Sequence, residues 1–162
     1  MTLLRSAAAA ALLAATCAMT ACSTSDNAAS SGAAGNDCPV TPVDVVVSVD
    51  QWGDIVSDLG GSCARVTTLL ASSSLDPHDY EPSPADAAKV QGAQLVVVNG
   101  AHYDEWAAKL AAGSAPGAPV VAASPDDQRV NPHVWYDPAT VRATADRVTA
   151  ELQKLAPGAS DY

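Results

Sequence analysis

Four short apolar runs, separated by segments with helical spacing, constrain the fold of this chain more than any other feature. The runs lie at residues 43–49, 64–70, 95–98 and 119–123. The first is so rich in valine that it predicts a strand buried on both faces, as in a parallel sheet. Strands that alternate with helices are joined by right-handed crossovers. The sequence therefore predicts an α/β fold with a parallel four-stranded sheet and flanking helices.

The helices between these strands have recognisable ends. The predicted N-caps are Asp50, Ser83 and Asp137, and a proline follows directly after the last two. Gly60 and Gly61 are expected to end the first helix. A short helix over residues 103–112 is expected after Asn99 and Gly100, which we interpret as a turn.

The N-terminus has the pattern of a targeting segment. Arg5 gives residues 1–21 a positive start, and the apolar stretch that follows is too short to span a bilayer comfortably. Because small residues precede Cys22, the segment resembles a lipoprotein signal peptide with Cys22 as the lipidated residue; a plain secretory signal cut after an alanine is the alternative. Residues 22–37 have the composition of a flexible tether. Either signal places the folded part, residues 38–162, outside the cytoplasm.

Cys38 and Cys63 are expected to form a disulfide. Two cysteines left over in one domain of a protein that works in an oxidising compartment usually pair. Each lies just before a predicted strand, which places both at the same edge of a parallel sheet.

Composition narrows the classes of function. The chain has 162 residues, 48% of them hydrophobic, which is enough for one domain with a real core. Acidic residues outnumber basic ones 18 to 8, and the formal net charge is −10. This charge disfavours nucleic acid as a partner and mildly concentrates cations at the surface. An acidic surface kept for solubility explains the same charge equally well.

Two stiff Pro-His stretches contain two of the three histidines. They are Asp76-Pro77-His78-Asp79-Tyr80-Glu81-Pro82-Ser83-Pro84 and Asn131-Pro132-His133-Val134-Trp135-Tyr136-Asp137-Pro138. Proline presets φ and restricts the residue before it, so both loops are stiff where the imidazole projects. The third histidine, His102, lies after the third predicted strand. All three therefore fall in loops at the edge where open parallel sheets bind ligands.

Imidazoles on convergent loops are typical ligands of Zn²⁺ or Mn²⁺. We predict that His78 and His133 bind such an ion, with His102 as a weaker, auxiliary candidate. Nearby carboxylates are candidates to complete the coordination or to orient the imidazoles: Asp76, Asp79, Glu81 and Asp137. Tyr80 and Trp135 are expected to cover the loop bases and shield the site from water.

Catalysis has little support in the sequence. It contains no His-Glu-x-x-His helix, no Gly-x-Ser-x-Gly elbow and no phosphate-binding glycine loop. Ser72 to Ser74 precede His78 closely, so an extracellular metal-dependent hydrolase stays open as the alternative. We expect a binding protein rather than an enzyme and assign no catalytic residue.

Three stretches together resemble the signature blocks of the zinc/manganese solute-binding proteins of ABC transporters. They are the two Pro-His stretches and Val96-Val97-Val98-Asn99-Gly100, in the order found in the family. The resemblance implies one α/β lobe of a two-lobe fold, with ligands at His78 and His133 and delivery of zinc or manganese to a membrane permease. His102 stands where the family does not usually place a ligand.

The resemblance also implies a second lobe that supplies the remaining ligands, and this chain departs from the family there. We expect residues 38–162 to be the N-terminal metal-binding lobe, with the second lobe absent. A fragment, a truncated gene product and a natural one-lobe protein are all compatible with the sequence. The choice between zinc and manganese also stays open, because the remaining ligands carry most of that information.

Overall fold

The structure is a computed structural model in which residues 38–71, 75–125 and 131–159 are described. All of them belong to the second of the chain's two units, Ala34–Tyr162. The predicted signal peptide, the predicted lipidation site Cys22 and the predicted tether lie outside the described residues, as do Ser72 to Ser74.

The sheet consists of parallel strands β1 (Val43–Val49), β2 (Ala64–Leu70), β3 (Leu95–Gly100) and β4 (Val120–Ser124). Their order across the sheet is β2–β1–β3–β4, so β1 and β3 are central. Every residue of β3 is buried, and β1 is buried except at the half-buried Asp44. Valine-rich strands of this kind fill the middle of a sheet covered on both faces. The predicted parallel four-stranded α/β fold is confirmed.

The helices are α1 (Asp50–Gly60), α2 (Pro84–Val90), α3 (Glu105–Ser114) and α4 (Pro138–Leu155). Short 3₁₀ turns cover Gly61–Cys63, Pro77–Asp79, Val134–Tyr136 and Pro157–Ala159. Helix α1 contacts α4, and α2 contacts α3. Within the described residues, no helix combines the length and the apolar character needed to cross a membrane.

The predicted caps of α2 and α4 are confirmed, and that of α1 is wrong. Ser83 and Asp137 accept hydrogen bonds from the first turns of their helices, each followed by a proline. Asp50 is instead the first residue of α1, and the N-cap position is Val49, which has no side-chain oxygen to offer. The predicted end of α1 is confirmed, with Gly61 at the C-cap and φ of 48°.

The junction between β3 and α3 also differs from the prediction. Asn99 and Gly100 continue β3, because Gly100 still pairs with Ser124 of β4. The chain turns only afterwards, with positive φ at Gly100 (73°), Ala101 (51°) and His102 (59°). Helix α3 therefore begins at Glu105, two residues later than expected.

A disulfide joins Cys38 to Cys63, with the two Cα atoms 4.8 Å apart. Cys63 ends the turn before β2, and Cys38 precedes β1. Val43 and Ala64, the first residues of those strands, are paired across the sheet. The bond therefore lies at the amino edge of the sheet, opposite the edge from which the histidine loops leave.

Candidate metal centre

The first Pro-His loop is held by its aspartate, which caps the 3₁₀ turn Pro77–Asp79. Asp76 Oδ1 accepts a hydrogen bond from the His78 backbone N–H at 3.0 Å and lies 2.9 Å from the ring Nδ1. One oxygen thus fixes both the backbone and the ring of His78. The backbone bond, followed by the ring bond, holds the pKa of Asp76 below its usual value, because both favour the ionised carboxylate.

The second Pro-His loop repeats this arrangement with an asparagine. Asn131 Oδ1 accepts a hydrogen bond from the His133 backbone N–H at 3.0 Å and lies 2.9 Å from the ring Nδ1. The 3₁₀ turn that follows covers Val134–Tyr136. Both loops therefore use the same device, an Asx-Pro-His turn in which the first residue orients the imidazole of the third.

The Asx-Pro-His turn determines which ring nitrogen is available to a ligand. The Asp76 carboxylate accepts hydrogen bonds and does not donate them, and Asn131 Oδ1 is an acceptor because a backbone N–H already points at it. In the neutral imidazoles of His78 and His133, Nδ1 therefore carries the ring hydrogen, which leaves the lone pair on Nε2. Metal-binding imidazoles commonly have this arrangement, with one nitrogen on the metal and the other donating to an oxygen.

The ring of Tyr103 joins the two loops. Its centroid lies 4.8 Å from that of the His78 imidazole, edge to face, and 5.9 Å from that of His133. Trp135 forms a further wall, with its ring 5.1 Å from the rings of both Tyr103 and His133. Tyr103 is only 7% exposed, and burial, aided by nearby carboxylates, raises the pKa of its hydroxyl. His78 and His133 thus both pack against one buried ring.

His102 lies in a different set of contacts. It belongs to the left-handed turn before α3, and its Nδ1 contacts Glu105 Oε1 in the first turn of that helix. The other oxygen of Glu105 accepts a hydrogen bond from Lys109 at 3.1 Å. The His102 contact and then the Lys109 contact lower the pKa of Glu105. His102 therefore takes part in a group of polar contacts with Glu105 and Lys109 at the start of α3.

The other candidate carboxylates cap a helix or are exposed. Asp137 caps α4 and accepts hydrogen bonds from the backbone and a hydroxyl of its first turn. Asp79 and Glu81 are exposed. Across residues 38–71, 75–125 and 131–159, no group of three or more His, Cys, Asp or Glu side chains is arranged to hold a metal ion. The described part of the chain thus offers a pair of imidazoles rather than a closed site.

Several residues that support the two loops were not found from the sequence, among them Tyr103 and Asn99. Tyr103 received no role, although an aromatic residue directly after a loop histidine was the available signal. Asn99 was interpreted as a turn residue. Its side chain instead forms hydrogen bonds with residues far away in sequence, and no local sequence pattern indicates such contacts. Tyr80, expected to shield the site, packs edge-on against Trp106 with ring centroids 4.7 Å apart.

Comparison with known proteins finds a matching family model and several relatives. A family model described as zinc-uptake complex component A periplasmic (ZnuA) matches residues 45–162. The manganese-binding lipoprotein MntA of Halalkalibacterium halodurans is 28% identical over 127 residues, covering 73% of this chain and 42% of that protein. The high-affinity zinc uptake system protein ZnuA of Bacillus subtilis is 28% identical over 116 residues, covering 58% of this chain and 36% of that protein.

A solved structure is also similar to the chain. The crystal structure of the metal-dependent lipoprotein YcdH from Bacillus subtilis has a TM-score of 0.65 and 28% identity, covering 74% of this chain and 47% of that one. The chain therefore spans less than half the length of these relatives. The hydrolase alternative receives no support from any of these comparisons.

Proposed function

Because this chain belongs to the zinc-uptake complex component A periplasmic family, we propose that it binds a divalent transition metal outside the cytoplasm and delivers it to an ABC permease. The metal is the cargo, and zinc or manganese is the expected ion. The relatives described above are named for manganese binding and for zinc uptake. Imidazole nitrogen suits zinc well, whereas manganese more often takes oxygen ligands.

The matched pair of Asx-Pro-His turns is the observation that carries this proposal. Both turns fix a histidine by the same two contacts, at 3.0 Å to the backbone and 2.9 Å to Nδ1. Both imidazoles pack against Tyr103. Ligands held in place before the metal arrives lose little freedom when they bind it, which lowers the cost of binding. A pair of surface histidines without a function has no need of such matched support.

We propose that His78 and His133 are ligands and that His102 is auxiliary. Closed zinc sites have four protein ligands, so two imidazoles leave coordination positions for other groups. This chain is therefore expected to bind metal with 1:1 stoichiometry and more weakly than a protein with a four-ligand site.

Calorimetric titration with zinc, followed by manganese, tests the assignment of ligands. His78→Ala and His133→Ala should each abolish stoichiometric binding, because one remaining imidazole cannot hold the ion. His102→Ala is the matched control, since it removes an imidazole from the neighbouring loop, and it should change the affinity only modestly. Full binding by His78→Ala or His133→Ala would remove that residue from the site. Loss of binding in all three variants would indicate a three-histidine cluster.

Membrane attachment is a separate part of the proposal. Residues 1–21 act as a lipoprotein signal peptide, Cys22 carries the lipid, and residues 22–37 tether the lobe 38–162 to the membrane. The relative MntA is named as a lipoprotein, which supports this assignment. Mass spectrometry of the membrane-extracted protein should find diacylglyceryl-Cys22. A soluble product that begins at another residue would refute it.

A further inference from the structure

We propose that residues 99–106, at the junction of β3 and α3, position both metal-binding loops through Asn99 and Trp106. This inference rests on the proposed function, because it takes His78 and His133 as the ligands. Neither Asn99 nor Trp106 is a ligand in this account. They are positioning residues that act on the peptide bond in front of each histidine.

Each loop proline has its carbonyl held by a side chain from this segment. Trp106 Nε1 donates a hydrogen bond to the Pro77 carbonyl oxygen at 2.9 Å. Asn99 Nδ2 donates a hydrogen bond to the Pro132 carbonyl oxygen at 2.8 Å. Each Pro-His pair thus has one such contact, and the Pro132 carbonyl also accepts a hydrogen bond from the Val134 N–H at 2.8 Å.

These contacts complete the fixation of the Pro-His peptide units. The Pro77 carbonyl and the His78 N–H belong to one planar peptide group, and Asp76 already holds the N–H. With Trp106 on the carbonyl, that plane is held at both ends. The Pro132–His133 peptide is held in the same way, by Asn99 at the carbonyl and by an asparagine oxygen at the N–H. Residues 99–106 thus help to determine the orientation of each imidazole.

The two donors are themselves fixed. Asn99 is fully buried, and its Oδ1 accepts a hydrogen bond from Trp52 Nε1 at 2.9 Å. That bond sets the orientation of the amide and turns Nδ2 towards Pro132. Trp106 is 9% exposed and packs edge-on against Tyr80. Buried donors with satisfied partners have little freedom to move the carbonyls they hold.

The turn between the donors is also held in one conformation. The Asp104 carboxylate accepts hydrogen bonds from the backbone N–H of Asn99 at 2.7 Å and of Gly100 at 2.9 Å. Tyr103, which follows the left-handed turn, packs against both imidazoles. The spacing of the two Pro-His peptides is therefore set by one short rigid segment rather than by the loops alone.

Trp106→Phe and Asn99→Ala test the proposal one loop at a time. Trp106→Phe removes the N–H donor and keeps an aromatic ring against Tyr80. Each variant should weaken zinc binding about 10-fold, the lower range for loss of a contact behind a metal ligand, measured by competition with a chromophoric chelator. In NMR spectra of the metal-free chain, Trp106→Phe should shift the His78 imidazole nitrogens much more than those of His133. Asn99→Ala should do the reverse.

Thr144→Val is the control for a loss of stability alone. Thr144 is 1% exposed, and its hydroxyl donates to the Thr140 carbonyl within α4, so its loss lowers stability without touching a loop proline. The proposal would be overturned if Trp106→Phe left the zinc affinity unchanged. It would also be overturned if Trp106→Phe lost no more zinc affinity than Thr144→Val at equal thermal stability. Equal shifts of both imidazoles in Trp106→Phe would also overturn it. If Asn99→Ala fails to fold, the measurements on Trp106→Phe alone test the proposal.

The two proposals fail in different ways. If the unsubstituted chain binds no zinc at His78 and His133, the proposed function fails, and the metal-free spectra still decide whether residues 99–106 hold each loop separately. If zinc binds and the loop-selective shifts are missing, the positioning role fails and the proposed function stands.

Discussion

Single side chains determine where each imidazole lies. The prolines before His78 and His133 stiffen the loops, but the residue two positions before each histidine orients its ring through Nδ1. Tyr103 then packs against both rings. Its contribution is the packing of one buried ring against two others, edge-to-face with His78 and tilted with His133, and aromatic contacts at such distances are favourable.

Replacing Tyr103 tests this packing role. Tyr103→Leu should weaken zinc binding about 10-fold, because both imidazoles lose a neighbour that restricts them. Tyr103→Phe keeps the ring and should stay close to the unsubstituted chain. Calorimetric titration of zinc measures both. Tyr136→Leu is the matched control, since Tyr136 is 79% exposed, and it should leave the affinity unchanged. An equal loss in Tyr103→Phe and Tyr103→Leu would show that the hydroxyl, rather than the ring, matters.

The sequence revealed the ligand candidates but not the residues that support them. His78 and His133 stand in local patterns that can be recognised within a few residues. Tyr103, Asn99 and Trp106 act across the fold, on partners far away in sequence. Such contacts depend on which strands and loops become neighbours, and no local pattern encodes that.

At the scale of elements, the end of β3 is the most constrained part of the fold. Gly100 has φ of 73°, and a Cβ atom there would lie 2.0 Å from the Ser124 carbonyl oxygen. The neighbouring strand thus leaves no space for any side chain at this position. Asn-Gly pairs are typical of turns, which is why the sequence predicted a turn where the strand in fact continues for two more residues.

Gly100→Ala should destabilise the fold by on the order of 2–5 kcal/mol, from backbone strain and from the clash with β4. Gly113→Ala is the matched control. Gly113 lies in α3 with nothing within 4 Å of a Cβ, so alanine should stabilise by up to about 1 kcal/mol. Urea unfolding measures both free energies. Similar effects of the two substitutions would contradict the close approach of β3 and β4.

The start of α2 predicts a dependence of stability on pH. The buried Asp86 accepts hydrogen bonds at one oxygen from the Ser83 hydroxyl (2.7 Å), the Ser83 N–H (2.9 Å) and the Tyr80 hydroxyl (2.8 Å). These bonds, that of the Ser83 hydroxyl first, hold the pKa of Asp86 well below its usual range. Because the pKa is lower in the folded state, ionised Asp86 stabilises the fold above the unfolded pKa of about 3.9, and this contribution is lost as the pH falls below it.

Asp86→Asn should therefore cost about 1–3 kcal/mol at pH 7, and the difference from the unsubstituted chain should shrink between about pH 5 and pH 2. Urea unfolding at both ends of this pH range measures the difference in the free energy of unfolding. Asp54→Asn removes the same charge from an exposed position of α1 and should have little effect at either pH. A constant difference for Asp86→Asn across the range would show that its ionisation does not matter.

At the scale of the whole molecule, alternation of strands and helices was enough to predict the fold class, and the runs at residues 43–49 and 64–70 predicted β1 and β2 to the residue. The order of the strands was not predictable in the same way. In the sheet, β3 rather than β2 lies next to β4. This order depends on hydrogen bonds between strands, which the apolar runs do not specify.

The disulfide closes the amino edge of the sheet. The 25-residue separation of Cys38 and Cys63 corresponds to on the order of 3 kcal/mol of stabilisation by restriction of the unfolded chain. Replacing both cysteines with alanine should lower the free energy of unfolding by about that amount. Peptide mapping without reduction should recover residues 38 and 63 in one cross-linked species. Two reactive thiols at these positions in the denatured mature protein would contradict the bond.

The central claim is that Nε2 of His78 and of His133 binds the metal. Long-range ¹H–¹⁵N NMR of the ¹⁵N-labelled chain tests it most directly, because the sequence has only three histidines to assign. Before zinc is added, His78 and His133 should show the tautomer with hydrogen on Nδ1. One equivalent of zinc should then shift the Nε2 resonances of these two residues and leave those of His102 nearly unchanged. Hydrogen on Nε2 in the metal-free chain, or a zinc response confined to His102, would contradict the account.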